Sequence, residues 1–133
     1  MKINNINTDK KVFIIAEIGV NHECSLKKAK QLISQAKKSG ADVVKFQTYK
    51  AEKIASKFSP SYWDRKKEKT KNQFELFKKL DHFGEKEYRD IYRFCKKIGI
   101  EFASTPFDLE SVDMLDDMVT FFKVSSSDIT NFP

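Results

Sequence analysis

The 133-residue sequence predicts an α/β fold built on a parallel sheet. Two observations carry this reading. Short β-branched runs alternate with longer stretches whose apolar residues recur at helical spacing, and Gly or Pro punctuates most of the changes from one to the other. Val12-Phe13-Ile14-Ile15-Ala16-Glu17-Ile18, stopped by Gly19, reads as a buried strand. Ser25 then suits the N-cap of a helix in which Leu26, Ala29, Leu32, Ile33 and Ala36 share one face, with Gly40 as its stop. Ala41 to Gln47 is a second strand, so the unit is βαβ and its strands run parallel.

A lysine-rich excursion from Thr48 to about Lys71 follows, containing Pro60, Tyr62 and Trp63. Asn72 to Leu80 suits a short helix. Over Glu85 to Ile98 a longer helix carries Tyr88, Ile91, Tyr92, Cys95 and Ile98 on one face and ends at Gly99. Ile100 to Ser104 is the third strand, with Pro106 just beyond it. Asp108 caps a segment striped by Leu109, Val112, Leu115 and Met118, and Thr120 to Val124 reads as a fourth strand. Four parallel strands suit a small open sheet or half of a (β/α)8 barrel, and periodicity does not choose between them.

Composition narrows the function. The 25 Lys+Arg against 19 Asp+Glu give a net charge of +6. The excess is concentrated: residues 1–99 carry 24 basic and 12 acidic residues, a balance of +12, whereas residues 100–133 balance at −6. A basic segment suits an anionic ligand. Only 3 of the 25 cations are Arg, the residue that makes most bidentate phosphate and base contacts, which argues against nucleic acid as the partner. The run Arg65-Lys66-Lys67-Glu68-Lys69 reads as a solvated face. The longest apolar run, Val12 to Ala16, is far short of the ~20 residues that span a bilayer. With no apolar leader stretch either, the expectation is a soluble cytoplasmic protein without a membrane partner. Cys24 and Cys95 form neither a disulfide framework nor a C-x-x-C motif, and His22 and His82, 60 positions apart, make no metal site.

Three charges interrupt the apolar strands: Glu17, Lys45 and Lys123. Burying an unpaired charge is costly, so each either faces solvent, pairs with another, or serves a ligand. All three lie toward the C-terminal ends of their strands, the rim at which α/β folds bind ligands. Two lysines and a carboxylate suit an anionic substrate beside a proton-transfer group. Gln47 projects on the same side as Lys45, and hydroxyls at Ser104, Thr105 and Ser125 to Ser127 add partners for carboxylate or phosphate oxygens. His22, after the first strand, is placed either against a ligand or in solvent; His82 is expected at the surface.

The segments Ala16-Glu17-Ile18-Gly19-Val20-Asn21-His22, Val43-Val44-Lys45-Phe46-Gln47-Thr48, Ser104-Thr105-Pro106-Phe107-Asp108 and Lys123-Val124-Ser125-Ser126 resemble the sialic acid synthase family over nearly the whole chain. The resemblance implies the N-terminal half of a (β/α)8 barrel, with residues 1–133 a partial barrel domain. It further implies condensation of phosphoenolpyruvate with an N-acylated amino sugar of the N-acetylmannosamine type, assisted by Mn2+ or Mg2+. On the matching positions Lys45, Thr105, Lys123 and Ser126 would hold phosphoenolpyruvate and Glu17 would act between the reactants, with Gln47 and Asp128 as further polar members. The family's metal-binding histidines lie on later strands, and a later antifreeze-like domain covers the partner's site in a homodimer; neither falls in this sequence, so the 133 residues alone are expected to be inactive. Cys24 stands where the family usually has glycine. Alternatives are a legionaminic or pseudaminic acid synthase, or a non-catalytic half-barrel that pairs through its strand edges.

Overall fold

A computed structural model describes residues 2–3 and 6–130. Two very short strands, β1 (Lys2–Ile3) and β2 (Ile6–Asn7), pair antiparallel and precede the main sheet. That sheet contains β3 (Ile15–Gly19), β4 (Val43–Thr48) and β5 (Glu101–Pro106), parallel and in that spatial order. The connecting helices are α1 (Leu26–Lys38), α2 (Ala51–Ile54), α3 (Gln73–Leu80) and α4 (Glu85–Ile98), and α5 (Leu109–Leu115) follows β5.

The helix ends follow the capping residues. Ser25 Oγ accepts from the Lys28 amide, Asn72 Oδ1 from Glu75 and Asp108 Oδ1 from Ser111, at 3.3, 2.8 and 2.8 Å. Each satisfies one of the donors that a helix start leaves without a partner. Gly99, at φ 71°, takes the left-handed conformation that closes α4. The core lies between one face of the sheet and α1 with α4: Val44, Phe46 and Phe102 meet Ala29, Ile33, Tyr88, Ile91 and Cys95. Burial pushes the Cys95 thiol up to about 12, so it packs as an apolar group.

Two strand predictions are corrected. The first strand begins three residues late, and Val12, Ile14 and Ile15 are exposed rather than buried, because β3 is the sheet's edge. Its entry is nevertheless fixed: the Asp42 carboxylate accepts from the Ile14 amide at 2.9 Å and from Lys11 Nζ at 2.7 Å. Thr120 to Val124 forms no strand among the described residues. Phe121 instead sets its ring edge-on to Phe13, 6.2 Å away, and Phe122 and Val124 are exposed. β-branched and aromatic residues describe a surface that fits a sheet, and here the segment has no ladder neighbour.

The turn after β3 places two non-glycine residues, Glu23 and Cys24, at φ 49° and 57°. This conformation crowds a Cβ, so Cys24 carries backbone strain that a glycine would relieve. Cys24→Gly is expected to raise the unfolding free energy by about 1 kcal/mol. The denaturant midpoint reads the change, and an unchanged or lower midpoint would contradict it.

Candidate functional site

Parallel pairing puts Glu17 beside Lys45 and Lys45 beside Ala103, then Gln47 beside Thr105. In-register residues share a face, so Glu17, Lys45, Gln47 and Thr105 all stand on the side of the sheet opposite α1 and α4. Lys45 Nζ lies 2.6 Å from Glu17 Oε2; the lysine side chain is 7% exposed and the glutamate 55%. A cation this deep requires a counter-charge, and Glu17 supplies it while keeping one side open to solvent.

Thr105 is buried and its Oγ1 has no hydrogen-bond partner. Buried hydroxyls without partners are rare, and this one lies on the same face as the ammonium. Thr48 and Ser104, on the opposite face, satisfy each other at 2.7 Å. Gln47 is half-buried, and the Tyr88 hydroxyl donates to its backbone carbonyl at 2.8 Å. Gly19, at φ 56°, follows a register shift after Glu17, and a Cβ there would stand 3.5 Å from Glu17 Oε1. That is an ordinary contact distance, so the left-handed backbone rather than lack of room is what favours glycine here.

The sequence grouped Lys123, Ser126 and Asp128 with these residues. Lys123 and Ser126 are exposed, and no hydrogen bond or ion pair among the described residues joins any of the three to Glu17, Lys45 or Thr105. Lys123 is thus not set within a strand. Ser125, Ser127 and Asp128 form a local turn, with the first two hydroxyls 2.7 Å apart. Asp128 lines a separate cavity of about 350 Å³ with Lys53, Gln73 and Phe107.

His22 is not solvated, and its Nε2 is buried without a hydrogen-bond partner among the described residues. It is 1% exposed, its ring stacks on Phe83 with centroids 4.3 Å apart, and its Nδ1 accepts from the Cys24 amide at 3.1 Å. Burial, aided by the Lys28 charge, lowers its pKa to about 4, so it is neutral at pH 7. His82 is exposed as expected. Among the described residues no three His, Cys, Asp or Glu gather to hold a metal ion, and no helix is long and apolar enough to cross a membrane.

Sequence reasoning missed Asp81 and Tyr49. Asp81 is buried; its Oδ2 accepts from the Ala51 amide at 2.9 Å, starting α2, and its carbonyl accepts from Lys50 Nζ at 3.0 Å. The fixed reach of these bonds ties the end of α3 to the end of β4. Tyr49 is buried between Phe77 and Phe107. Neither belongs to a periodic pattern, and only an aspartate just beyond a helical run hinted at the first.

A profile of the NeuB family matches residues 32–133. The chain belongs to the NeuB family. It is 44% identical over 128 residues to the N,N'-diacetyllegionaminic acid synthase of Campylobacter jejuni, covering 93% of this chain and 38% of that protein. To the N-acetylneuraminate-9-phosphate synthase of Homo sapiens it is 39% identical over 123 residues, covering 91% of this chain and 34% of that one. The crystal structure of the N-acetylneuraminic acid (sialic acid) synthetase of Leptospira borgpetersenii in complex with citrate superposes with a TM-score of 0.77 at 32% identity, over 98% of this chain and 42% of that chain. The chain thus spans little more than a third of the length of these NeuB relatives.

Proposed function

We propose that this chain is the N-terminal part of a NeuB synthase barrel that condenses phosphoenolpyruvate with an N-acylated amino sugar to give a nonulosonic acid and phosphate. The observation that carries the reading is the buried Lys45 ammonium held against Glu17, on the same face as a buried Thr105 hydroxyl without a partner. An ammonium and an orphan hydroxyl together suit the carboxylate or phosphate oxygens of phosphoenolpyruvate. The relatives named above support the choice of reaction.

In this reaction C3 of phosphoenolpyruvate forms a bond to the aldehyde carbon of the open-chain sugar, whose oxygen takes up a proton to become a hydroxyl. Water adds at C2 and gives up a proton, and the C2–O bond to phosphate then breaks, leaving a keto group and inorganic phosphate. Lys45 and Thr105 hold phosphoenolpyruvate; Glu17, half open to solvent, orients the acceptor or carries the proton; Gln47 contacts the acceptor. Lys123, Ser126 and Asp128 join this set when Thr120 to Val124 is drawn into the sheet by the rest of the barrel. A divalent metal, Mn2+ or Mg2+, would supply Lewis-acid polarisation of the sugar aldehyde, with histidines of the later barrel strands as its ligands. The barrel's remaining strands, the C-terminal antifreeze-like domain and the homodimer likewise belong to the longer, cytoplasmic protein.

The test is phosphate release from phosphoenolpyruvate and N-acetylmannosamine with Mn2+, by the full-length protein and by the 133 residues alone. Release by the first and not the second is expected. Release by neither, with every amino sugar supplied, would sink the synthase reading. A legionaminic acid synthase is the second reading, favoured by the 44% identity to the Campylobacter legionaminic acid enzyme, with a pseudaminic acid synthase as a further alternative; product mass separates the acceptors.

A further inference from the structure

After α2 the chain makes a long loop whose two arms are tied together. At the neck Asn72 Nδ2 donates to the Lys57 carbonyl at 3.2 Å and Gln73 Nε2 to the Pro60 carbonyl at 3.0 Å. Pro60 also forms an antiparallel bridge with Asn72. Further out, Trp63 Nε1 donates to the Glu68 carbonyl at 3.1 Å. A loop closed on itself in this way presents its outer side chains as one fixed surface.

Residues 57–71 hold six basic and two acidic residues. Lys57, Arg65, Lys66, Lys67, Lys69 and Lys71 are all exposed, and none has an ion pair among the described residues. Elsewhere Lys11, Lys28, Lys30, Lys53 and Lys78 each meet a carboxylate. The loop's own carboxylates are engaged in other bonds. Glu68 takes Lys79 of α3 at 2.9 Å and the Thr70 amide at 3.0 Å, and Asp64 accepts from the Lys66 amide at 2.9 Å. Two aromatic rings stand out from the same loop. Phe58 is 94% exposed, and the neck bonds bring its segment beside Lys71; Tyr62 is 71% exposed, set edge-on to Trp63 at 5.0 Å.

Exposed cations without a buried polar centre suit an extended anionic surface rather than one small anion. Five of the six are Lys, a compact, hydrated point charge that needs no bidentate partner, which again disfavours nucleic acid. Exposed aromatic rings beside them suit the boundary between headgroups and acyl chains. We propose that this loop adsorbs the protein to an anionic lipid bilayer, with its lysines over the headgroups and Phe58 and Tyr62 dipping into the interface. The expectation of no membrane partner rests on the lack of a spanning or leader segment, and adsorption requires neither. The inference is independent of the reaction catalysed.

Co-sedimentation of the full-length protein with phosphatidylcholine vesicles containing about one-third phosphatidylglycerol tests this. Retention is expected at about 50 mM salt and is lost by about 500 mM, and vesicles of phosphatidylcholine alone should retain none. The triple variant Lys66→Gln, Lys67→Gln, Lys69→Gln should weaken partitioning about 100-fold. Phe58→Ser should weaken it severalfold. Removing the same charge at Lys27, Lys38 and Lys97, exposed on α1 and α4, should change it far less. An unshifted thermal midpoint shows that each variant is folded. Equal retention on neutral vesicles, retention that survives high salt, or equal weakening by the two triple variants overturns the proposal. Binding of single-stranded nucleic acid without vesicle retention overturns it as well and assigns the loop to that polymer. Phosphate release plays no part in these readings, so their failure leaves the synthase reading untouched.

Discussion

Alanine in place of Lys45 is expected to lower kcat/KM for phosphoenolpyruvate by about 10²- to 10³-fold in the full-length protein, the usual cost of removing one preorganised charged donor. The ammonium is nearly dry, so its attraction for a carboxylate or phosphate is little screened, and nothing else on the described face of the sheet carries a positive charge at that depth. Lys45→Arg should recover little of the loss, since a planar fork cannot occupy the space of a compact ammonium between Glu17 and Ala103. Lys45→Met separates chemistry from folding. Taking the charge out of the interior removes a desolvation penalty, so this variant should be at least as stable as the parent and equally inactive. Near-normal phosphate release by Lys45→Ala would remove this residue from the site.

The second large effect is on stability in mild acid. In the folded chain His22 binds its proton only near pH 4, whereas in the unfolded chain it does so near 6.5. Between those values the unfolded state holds more protons, so stability falls as pH drops from about 6.5 to about 4, by roughly 3 kcal/mol in all. Above pH 7 the contribution is constant. Chemical denaturation at pH 7.0, 5.5 and 4.5 reads the decline, and His22→Phe, which keeps an aromatic ring against Phe83, should flatten it. An equal slope in both proteins would assign the acid sensitivity to other groups. The Asp42 carboxyl titrates lower still, held down chiefly by its bond from the Ile14 amide, so its loss comes later in an acid titration.

These two residues also show which parts of the molecule are readable from sequence. Lys45 is visible because a charge between Val44 and Phe46 breaks a local pattern, and its partner Glu17 breaks the neighbouring one. Helix ends are visible for the same reason: Ser25, Asn72, Asp108 and Gly99 act within one turn of their own positions. His22 is different, since its burial depends on Phe83, 61 residues away, and on Phe46 across the sheet. Tyr49 is likewise defined by Phe77 and Phe107 rather than by its neighbours. The run from Thr120 to Val124 has the composition of a strand, but composition describes fitness for a sheet and not the presence of a neighbour to pair with. The four-residue α2 has too few turns to leave a period and is held by Asp81, another distant partner.

The ion pair between Glu17 and Lys45 bears on how the strands find their alignment. Sliding β3 by one residue against β4 would turn Glu17 toward Ile33 and Phe46 and leave the lysine buried beside an aliphatic chain. Alignment depends only on the two charges being opposite, and a reversed pair would mark the same register. Anion binding depends on which strand carries the cation. One pair of side chains thus encodes two instructions, and selection can act on either without rewriting the other.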